Sequence, residues 1–598
     1  MKILLVAVNA KYIHSNLAVY SLRAYAKEHA KMAAAEVEIA EYTINQQMDV
    51  ILRDIFLRKP DVVCLSCYIW NRLYIETIVR ELPKILPGTE IWLGGPEVSY
   101  DAAEVLGRLP QVKGVMKGEG EETFAQLCRV YAACGERGEE SGDAAGKERM
   151  DGGKKRCREM DCQFAKTLGI TYRTSDGEIR ENPWREPLSL DLVPFVYEDM
   201  SEFENRIIYY ETSRGCPFSC SYCLSSVDKK LRFRSLHLVE KELQFFIDHK
   251  VLQVKFVDRT FNCNHRHAAA IWKYIAEHDN GVTNFHFEVS ADLLNEEELE
   301  LIRGMRPGLI QLEIGVQSTN PETVREIRRT MDLEKVRENV GRIRESGNVH
   351  QHLDLIAGLP FEDLESFVRS FDEVYGMKPQ MLQLGFLKVL KGSYMEENRK
   401  EYGLVAGDEP PYEVLYTKWL SYENVLELKG VEEMVEVYYN SGQFSHSMER
   451  LEEEYSSPYR MYRDLWVHYG EKGLTGVQHK RSARYEILLD FAKIHFPQKA
   501  ELMREVLIYD YYLRENAKTR PEFAGEYTVD SRFLREFYER EEKERTYLPE
   551  YREYDRKQMR KMTHIEHFPL MNKTVVFSYK QRNSLNQEAR TCMIKEVL

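Results

Sequence analysis

Cys216, Cys220 and Cys223, in the stretch IIYYETSRGCPFSCSYCLSS, are the residues best placed for chemistry. Their CxxxCxxC spacing, emerging from an apolar strand into a Gly/Pro turn, suits three thiolates folded around one iron-sulfur cluster. A cubane takes four ligands. With three supplied locally, one iron keeps an open position that can bind a small molecule and act on it. Zinc is the competing reading, but zinc wants a fourth Cys or His close by. The nearest, Cys263, His265 and His267, lie a strand and a helix further on. A disulfide fits less well still.

The elements that must position this triplet are alternating strands and helices. From about 205 to 395 the apolar runs RIIYYETS, LQVKFVDRT, FHFEVSADL, LIQLEIGVQS, HLDLIAGLP and MLQLGFLKVL are separated by helical patterns. Six such units, with the cysteines after the first strand, predict an open, partial (βα)6 barrel whose chemistry sits at the strand carboxyl ends. Cys263, His265 and His267 then read as a helix start, capped by Asn262 or Asn264. Asp258-Arg259 follows the second strand, where Arg259 contacts a substrate carboxylate or forms an internal ion pair, the latter preferred.

Residues 1 to about 133 carry five further runs, KILLVAV, VEIAEYTI, DVVCLSCYI, EIWLGG and VKGVMKG, joined by amphipathic segments. This is the pattern of an α/β, doubly wound, five-stranded parallel sheet. Ligands bind such sheets at the strand carboxyl ends. The informative residues are therefore Asn9 to His14, Ser66 to Asn71 with Ser66 and Tyr68, Gly94-Gly95-Pro96, and Gly118-Glu119-Gly120-Glu121. Paired glycines let backbone approach a large ligand. The GxGxxG fingerprint is absent from the first turn, which disfavours nicotinamide or flavin. Cys64 and Cys67, three apart on a strand, point to opposite faces and read as buried small hydrophobes.

Residues 134 to about 166, rich in Gly, Glu, Lys and Arg, read as a mobile insertion; its Cys134, Cys157 and Cys162 read as part of a solvated linker. A hairpin around Asp176-Gly177 and a connector through Pro183, Pro187 and Pro194 follow. Past about 400 the pattern is helical, with tyrosines and aliphatics at core spacing. The charged stretch FLREFYEREEKERTYLPEYREYDRKQMRKM reads as a solvated helix face, and THIEHFPL and KTVVFSYK as two terminal strands on which His564 and His567 diverge. The segments expected are 1–133, 134–200, 201–395 and 396–598.

At 598 residues the chain exceeds one core. Its net charge of −14 argues against a nucleic-acid partner. No stretch reaches the roughly 18 apolar residues of a membrane span. Eleven scattered cysteines suit a reducing cytoplasm.

CxxxCxxC with an aromatic, Tyr222, before the last Cys resembles the signature of radical S-adenosylmethionine enzymes. EIGVQS (313–318) and DLIAGLP (354–360) resemble later barrel strands of their coproporphyrinogen oxidase branch and cobalamin-dependent members. The GGP and GEGE turns resemble those flanking the corrinoid in the cobalamin-binding domain that precedes many class B members. One departure stands out: the D-x-H-x-x-G of cobalt-ligating domains is absent, since Tyr12, Ile13, His14, Ser15, Asn16 and Leu17 stand there. His14 thus reads as a polar residue near a helix start capped by Ser15 or Asn16, and the lower corrinoid face as lacking a histidine. The C-terminal region resembles an uncharacterised domain accompanying such proteins.

The resemblance implies a 4Fe-4S cluster on the three cysteines, S-adenosylmethionine on the open iron, and cobalamin on the first sheet. In that family the reduced cluster cleaves the sulfonium to methionine and a 5′-deoxyadenosyl radical. Tyr222 would cover the cluster or meet the adenine, and Glu288, Ser290, Gln317 and Ser318 would hold the amino group or ribose. Gly358 to Pro360 would lie against adenine, and Gly392 and Ser393, after Lys388, would close the far side. The expected reaction is methylation of an unactivated carbon, with rearrangement or ring closure, or a non-catalytic corrinoid sensor, as alternatives. The implied partners are a small-molecule or peptide substrate and an electron donor such as flavodoxin or ferredoxin.

Overall fold

The computed structural model describes residues 1–30, 36–136, 158–527, 529–583 and 585–595. The Cys134 side chain and Cys157, with most of the expected insertion, lie outside what it describes. The chain divides into two compact units, Met1–Leu301 with Arg325–Met331 and Phe386–Lys418, and Ile302–Val324 with Asp332–Gly385 and Trp419–Leu598.

The first unit begins with the sheet read from sequence. Strands β1 (Ile3–Asn9), β2 (Val37–Thr43), β3 (Val62–Ser66), β4 (Glu90–Gly94) and β5 (Val112–Met116) run parallel in the order β2-β1-β3-β4-β5. Every residue of β1 is buried, because helices cover both faces. Helix α1 (Leu17–His29) is capped by Asn16, whose side chain accepts from Val19 N, and α2 (Met48–Arg58) follows β2. In α3 (Arg72–Ile85) the residues Ile75, Ile78, Val79 and Leu82 form one apolar stripe that joins Val6, Val63 and Leu93 in the core. Strand order reverses between β1 and β3, the place where such sheets open a crevice.

Two details extend the sequence reading. The hairpin around Asp176-Gly177, β6 (Ile170–Arg173) and β7 (Ile179–Glu181), adds antiparallel strands beside β5, so the sheet has seven strands rather than five. Residues 158–164, expected to be part of the mobile insertion, are helical and seat a fully buried Phe164 against Trp92, Tyr131 and Tyr172. A single aromatic in a polar run supplied the missing anchor. Cys162 is exposed.

The same unit holds three strands of the second alternation: β8 (Ile208–Tyr210) pairs parallel with β11 (Gln253–Phe256), which pairs parallel with β12 (Asn284–Val289). Between β8 and β11, the short strands β9 (Ser213–Arg214) and β10 (Arg232–Phe233) pair antiparallel and bracket the cysteine loop.

In the second unit, β13 (Ile310–Gln317) and β14 (His350–Ala357) run parallel with Glu313 opposite His352, and β15 (Met381–Phe386) follows. Leu312, Ile314 and Val316 with Leu353 and Leu355 form an apolar face; Gln311, Glu313, His350, His352 and Asp354 occupy the other. A π-helical turn, Glu436–Asn440, presents Asn440 to Leu382, donating to its carbonyl and accepting from its amide, both at 2.9 Å.

The remaining helices bury tyrosines, among them Tyr438, Tyr462, Tyr469, Tyr485 and Tyr512. The charged helix Ser531–Glu544 is solvated on one face only; Leu534, Phe537 and Tyr538 are buried. Thr563–Phe568 and Lys573–Arg582 are strands as expected, and Ala589–Ile594 adds a third that its mixed pattern concealed. His564 bonds Glu566 and His567 bonds Thr574, so they do diverge. Among the described residues, no helix is long and apolar enough to cross a membrane.

Candidate functional site

A cavity of about 950 Å³ opens in the first unit where the turns after β1, β3, β4 and β5 meet the ends of β8 and β11. Ser66, Tyr68, Gly94, Gly95, Pro96, Gly118, Glu119, Gly120 and Glu121, the positions singled out in the sequence, all line it. Its size is at the upper end for small-molecule pockets, as a macrocycle requires.

The glycines answer first to the chain itself. At Gly95, φ +110°, an added Cβ would lie 2.4 Å from the Cys67 carbonyl oxygen, and at Gly120 it would lie 2.9 Å from Leu22 Cδ2. Each turn is thin because a neighbour occupies the space where a side chain would be. Cys64 and Cys67 are buried, as expected, and burial pushes both thiols up.

His14 lines the cavity with its Nδ1 on the Tyr209 hydroxyl; burial, then Lys11 and Lys255, lower its pKa and keep it neutral. Tyr68 and Trp70 stack at 4.4 Å on the same wall. Trp184, Arg185, Glu186 and Pro187 of the connector also line it, which the sequence reading missed. The one available signal was a tryptophan set between Pro183 and Pro187 in an otherwise polar stretch.

Leu224, Val227 and Asp228, just beyond the last cysteine, reach the cavity as well. In the loop before them the Cys216 amide donates to Asp228 O, the Cys223 amide to Cys220 O and the Ser221 amide to Ile327 O. Gly215, φ +87°, makes the turn, where a Cβ would meet the Lys230 carbonyl at 2.8 Å. All three thiols are free, with Cys216 and Cys220 buried. Arg329 Nη1 lies 4.0 Å from Cys220 Sγ and 3.4 Å from the Tyr222 hydroxyl, and Thr260 Oγ1 lies 4.0 Å from Cys216 Sγ. Burial pushes the Cys216 thiol and the Tyr222 phenol up. The loop thus offers three sulfurs on one short turn with a cation beside them, a donor set that fits a three-thiolate cluster. The sequence reading did not single out Arg329, which stands 109 positions from Cys220.

The two histidines of the zinc reading have other partners. His265 bonds Glu298 at 3.1 Å; His267 bonds Thr212 Oγ1 at 3.1 Å, and burial lowers it to about 4. Asn264 caps their helix. Cys263 remains, its thiol pushed up to about 11 by burial and by Cys216.

The strand-end residues divide. Glu288 is held by the Arg259 guanidinium at 2.9 and 3.1 Å, the internal ion pair preferred for Arg259, so its carboxylate is already engaged. Ser290 donates to Asp292 at 2.6 Å and serves its own turn. Ser318 is fully buried and donates to Glu362, whose carboxyl burial pushes up to about 7. Gln317 is different. Its φ of +73°, at the bulge in β13, holds a buried Oε1 without a hydrogen-bond partner, an acceptor suited to a bound ligand. Gly358 has φ +88° in the same unit as Pro360. Gly392 gives way to the Tyr100 ring, which a Cβ would meet at 2.7 Å, and Ser393 caps the short helix after it.

Asp258, unassigned from sequence beyond its position, is fully buried below the cysteine loop. It accepts from Thr212 N at 2.9 Å, Thr212 Oγ1 at 2.6 Å and Ser213 Oγ at 2.7 Å, and burial pushes it up to about 7. In the second unit, Glu313, His352 and Asp354 bring ligand atoms within 4.8 Å of one another on the polar face of β13 and β14. The polar alternation in IQLEIGVQ and HQHLDLIA was the signal for them.

Comparison with known proteins adds three matches along the chain: the B12 binding domain over residues 3–128, the Radical SAM superfamily over 210–374, and a protein of unknown function, DUF4080, over 400–592. The chain is 25% identical over 357 residues to the 2-(S-pantetheinyl)-carbapenam-3-carboxylate methyltransferase of Streptantibioticus cattleyicolor, covering 58% of this chain and 49% of that protein. It is 25% identical over 370 residues to the cobalamin-dependent radical SAM methyltransferase TokK of Streptomyces tokunonensis, with the same coverage. The chain thus spans about half the length of these curated relatives. The solved structure of the cobalamin-dependent S-adenosylmethionine radical enzyme OxsB, with aqua-cobalamin and S-adenosylmethionine bound, shares the fold at 16% identity, TM-score 0.55, covering 85% of this chain and 78% of that one.

Proposed function

Because the chain carries a B12-binding domain followed by a radical S-adenosylmethionine domain, we propose that it is a cobalamin-dependent enzyme that cleaves S-adenosylmethionine reductively and methylates an unactivated carbon. The observation that carries this reading is a cavity lined both by the GGP and GEGE turns and by the segment following the cysteines. Cys216, Cys220 and Cys223 would hold a cluster that supplies the cleaving electron, and the cavity residues would hold a corrinoid that carries the methyl group.

The remaining tasks fall to side chains. Arg329, a fixed cation beside Cys220, pairs with the carboxylate of the methionyl group, and Tyr222 covers the cluster or meets the adenine. Within the second unit, Gln317 offers a ligand acceptor and Gly358 to Pro360 an open backbone turn. Glu288 acts through Arg259 rather than alone, while Ser290 and Ser318 shape their turns. Ser66, Tyr68, Gly94 to Pro96 and Gly118 to Glu121 form the corrinoid floor and rim. The segments divide the work as 1–133 for the corrinoid, 134–200 as insertion, hairpin and connector, 201–395 for radical generation and 396–598 for shaping substrate access. The partners are a small-molecule or peptide substrate and a flavodoxin or ferredoxin donor, in the cytoplasm.

Anaerobically reconstituted protein should show separate cluster and corrinoid absorption bands and form 5′-deoxyadenosine from S-adenosylmethionine under a strong reductant. Absence of either band, or of 5′-deoxyadenosine with every donor tried, would falsify the reading. 5′-Deoxyadenosine without methyl transfer would point to rearrangement or ring closure instead.

A further inference from the structure

The GEGE turn does more than border the cavity. Arg214 and Arg232 stand opposite one another in the β9–β10 pair, so they are the two posts of the loop that carries the cysteines. Glu119 grips both: Arg232 donates to it through two guanidinium nitrogens, one at 3.1 Å, and Arg214 Nη1 lies 3.3 Å away. Arg214 also donates to Glu121 at 2.6 Å and to Glu211 at 2.8 Å. Arg232 reaches Asp228 at 3.0 Å and the Leu188 carbonyl at 2.6 Å, while the Leu188 amide returns a bond to Glu119 at 3.0 Å. The connector is thereby tied into the same knot.

These pairs are largely shielded: Arg232, Arg214 and Glu121 side chains are 11%, 15% and 6% exposed. Shielded ion pairs add little net stability over an apolar packing, but removing one partner strands a charge, and a guanidinium fork gripping a carboxylate fixes distance and angle together. Burial opposes ionisation of Glu119, yet Arg232, Arg214 and the Leu188 amide hold its carboxyl below the usual range, so the grip persists at neutral pH.

We infer that Glu119 and Glu121 are positioning residues: through Arg232 and Arg214 they hold the cysteine loop at one distance from the floor of the cavity. Resting on the function proposed above, this gives the GEGE carboxylates, besides their place at the corrinoid rim, the task of registering the radical source against the corrinoid. Cobalt-to-cluster spacing decides whether a radical and a methyl group meet at one carbon, and proximity of that kind is worth several orders of magnitude in rate.

Pulsed dipolar EPR on holoenzyme carrying cob(II)alamin and a one-electron-reduced cluster reads this distance directly. The wild type should give one narrow maximum. Glu119→Gln and Arg232→Ala, at unchanged iron and corrinoid content, should lose it, and Arg232→Lys, which keeps the charge without the fork, should recover part of it. An unchanged narrow maximum in Glu119→Gln would overturn the clamp while leaving the functional reading intact. Should Arg232→Ala lose its cluster, Glu119→Gln, nearly isosteric, decides the matter alone. A wild type that takes up no corrinoid or no cluster overturns the functional reading and the clamp together.

Discussion

The turns after β4 and β5 and the loop after β8 border the same space and are built on opposite plans. In the turns, side chains are missing because the chain fills their place: the Cys67 carbonyl against Gly95, Leu22 against Gly120. In the loop, side chains are present as three free thiols, with Thr260 and Arg329 standing 4.0 Å from the sulfurs of Cys216 and Cys220. A guest is therefore received by shape in one place and by bonds in the other. Substitutions of the turn glycines should act through folding, and those of the loop thiols through chemistry.

The largest effect that contrast predicts is for Cys223→Ala, which should abolish the cluster absorption band and 5′-deoxyadenosine formation while leaving the urea midpoint of the apo-protein near wild type. A large drop in that midpoint would mean that the loop, like the turns, is a folding element. Next comes Gly95→Ala, where a left-handed φ and a 2.4 Å backbone contact combine; it should cost about 3 to 4 kcal/mol. Gly177, φ +87° with open space where a Cβ would stand, supplies the control: Gly177→Ala should cost only about 1 kcal/mol. Equal losses in urea denaturation would refute the packing explanation.

The buttress beneath the loop gives a pH test of intermediate size. His267 is held neutral against Thr212 with its pKa lowered by burial from 6.5 to about 4. Between those values the unfolded chain binds the extra proton, so His267's contribution is complete above pH 6.5 and is lost as pH falls toward 4, by about 3 kcal/mol in all. Asp258, pushed up to about 7, runs the other way: protonated in the fold, it favours low pH, and that contribution is lost as pH rises toward 7. The measurement is thus the difference between wild type and His267→Gln across pH 4 to 7, which should narrow as the medium is acidified.

Much of this arrangement was legible because it is local. Five apolar runs, an Asn before α1, Asn264 before its helix and a Gly in the hairpin turn each act on residues within a few positions, where periodicity and capping operate. The cavity lining followed from the rule that parallel sheets bind at their strand ends. What failed, the Arg259 ion pair excepted, was inference about which polar groups near the strand ends stay available to a ligand. Glu288, Ser290, Ser318 and Glu119 looked available and are engaged, whereas Arg329, not singled out by any motif, lies against Cys220.

The sequence by itself determined the three thiols, the alternation that carries them to a strand end, and the glycines that make each turn possible. These depend on residue type and short spacing alone. Only the tertiary structure decided that Glu119 meets Arg232 across 113 positions, that Trp184 enters the cavity wall, and that Gln317 keeps an acceptor free. The partner of a long charged side chain is chosen by folded distance and burial, and neither is written in the neighbouring residues.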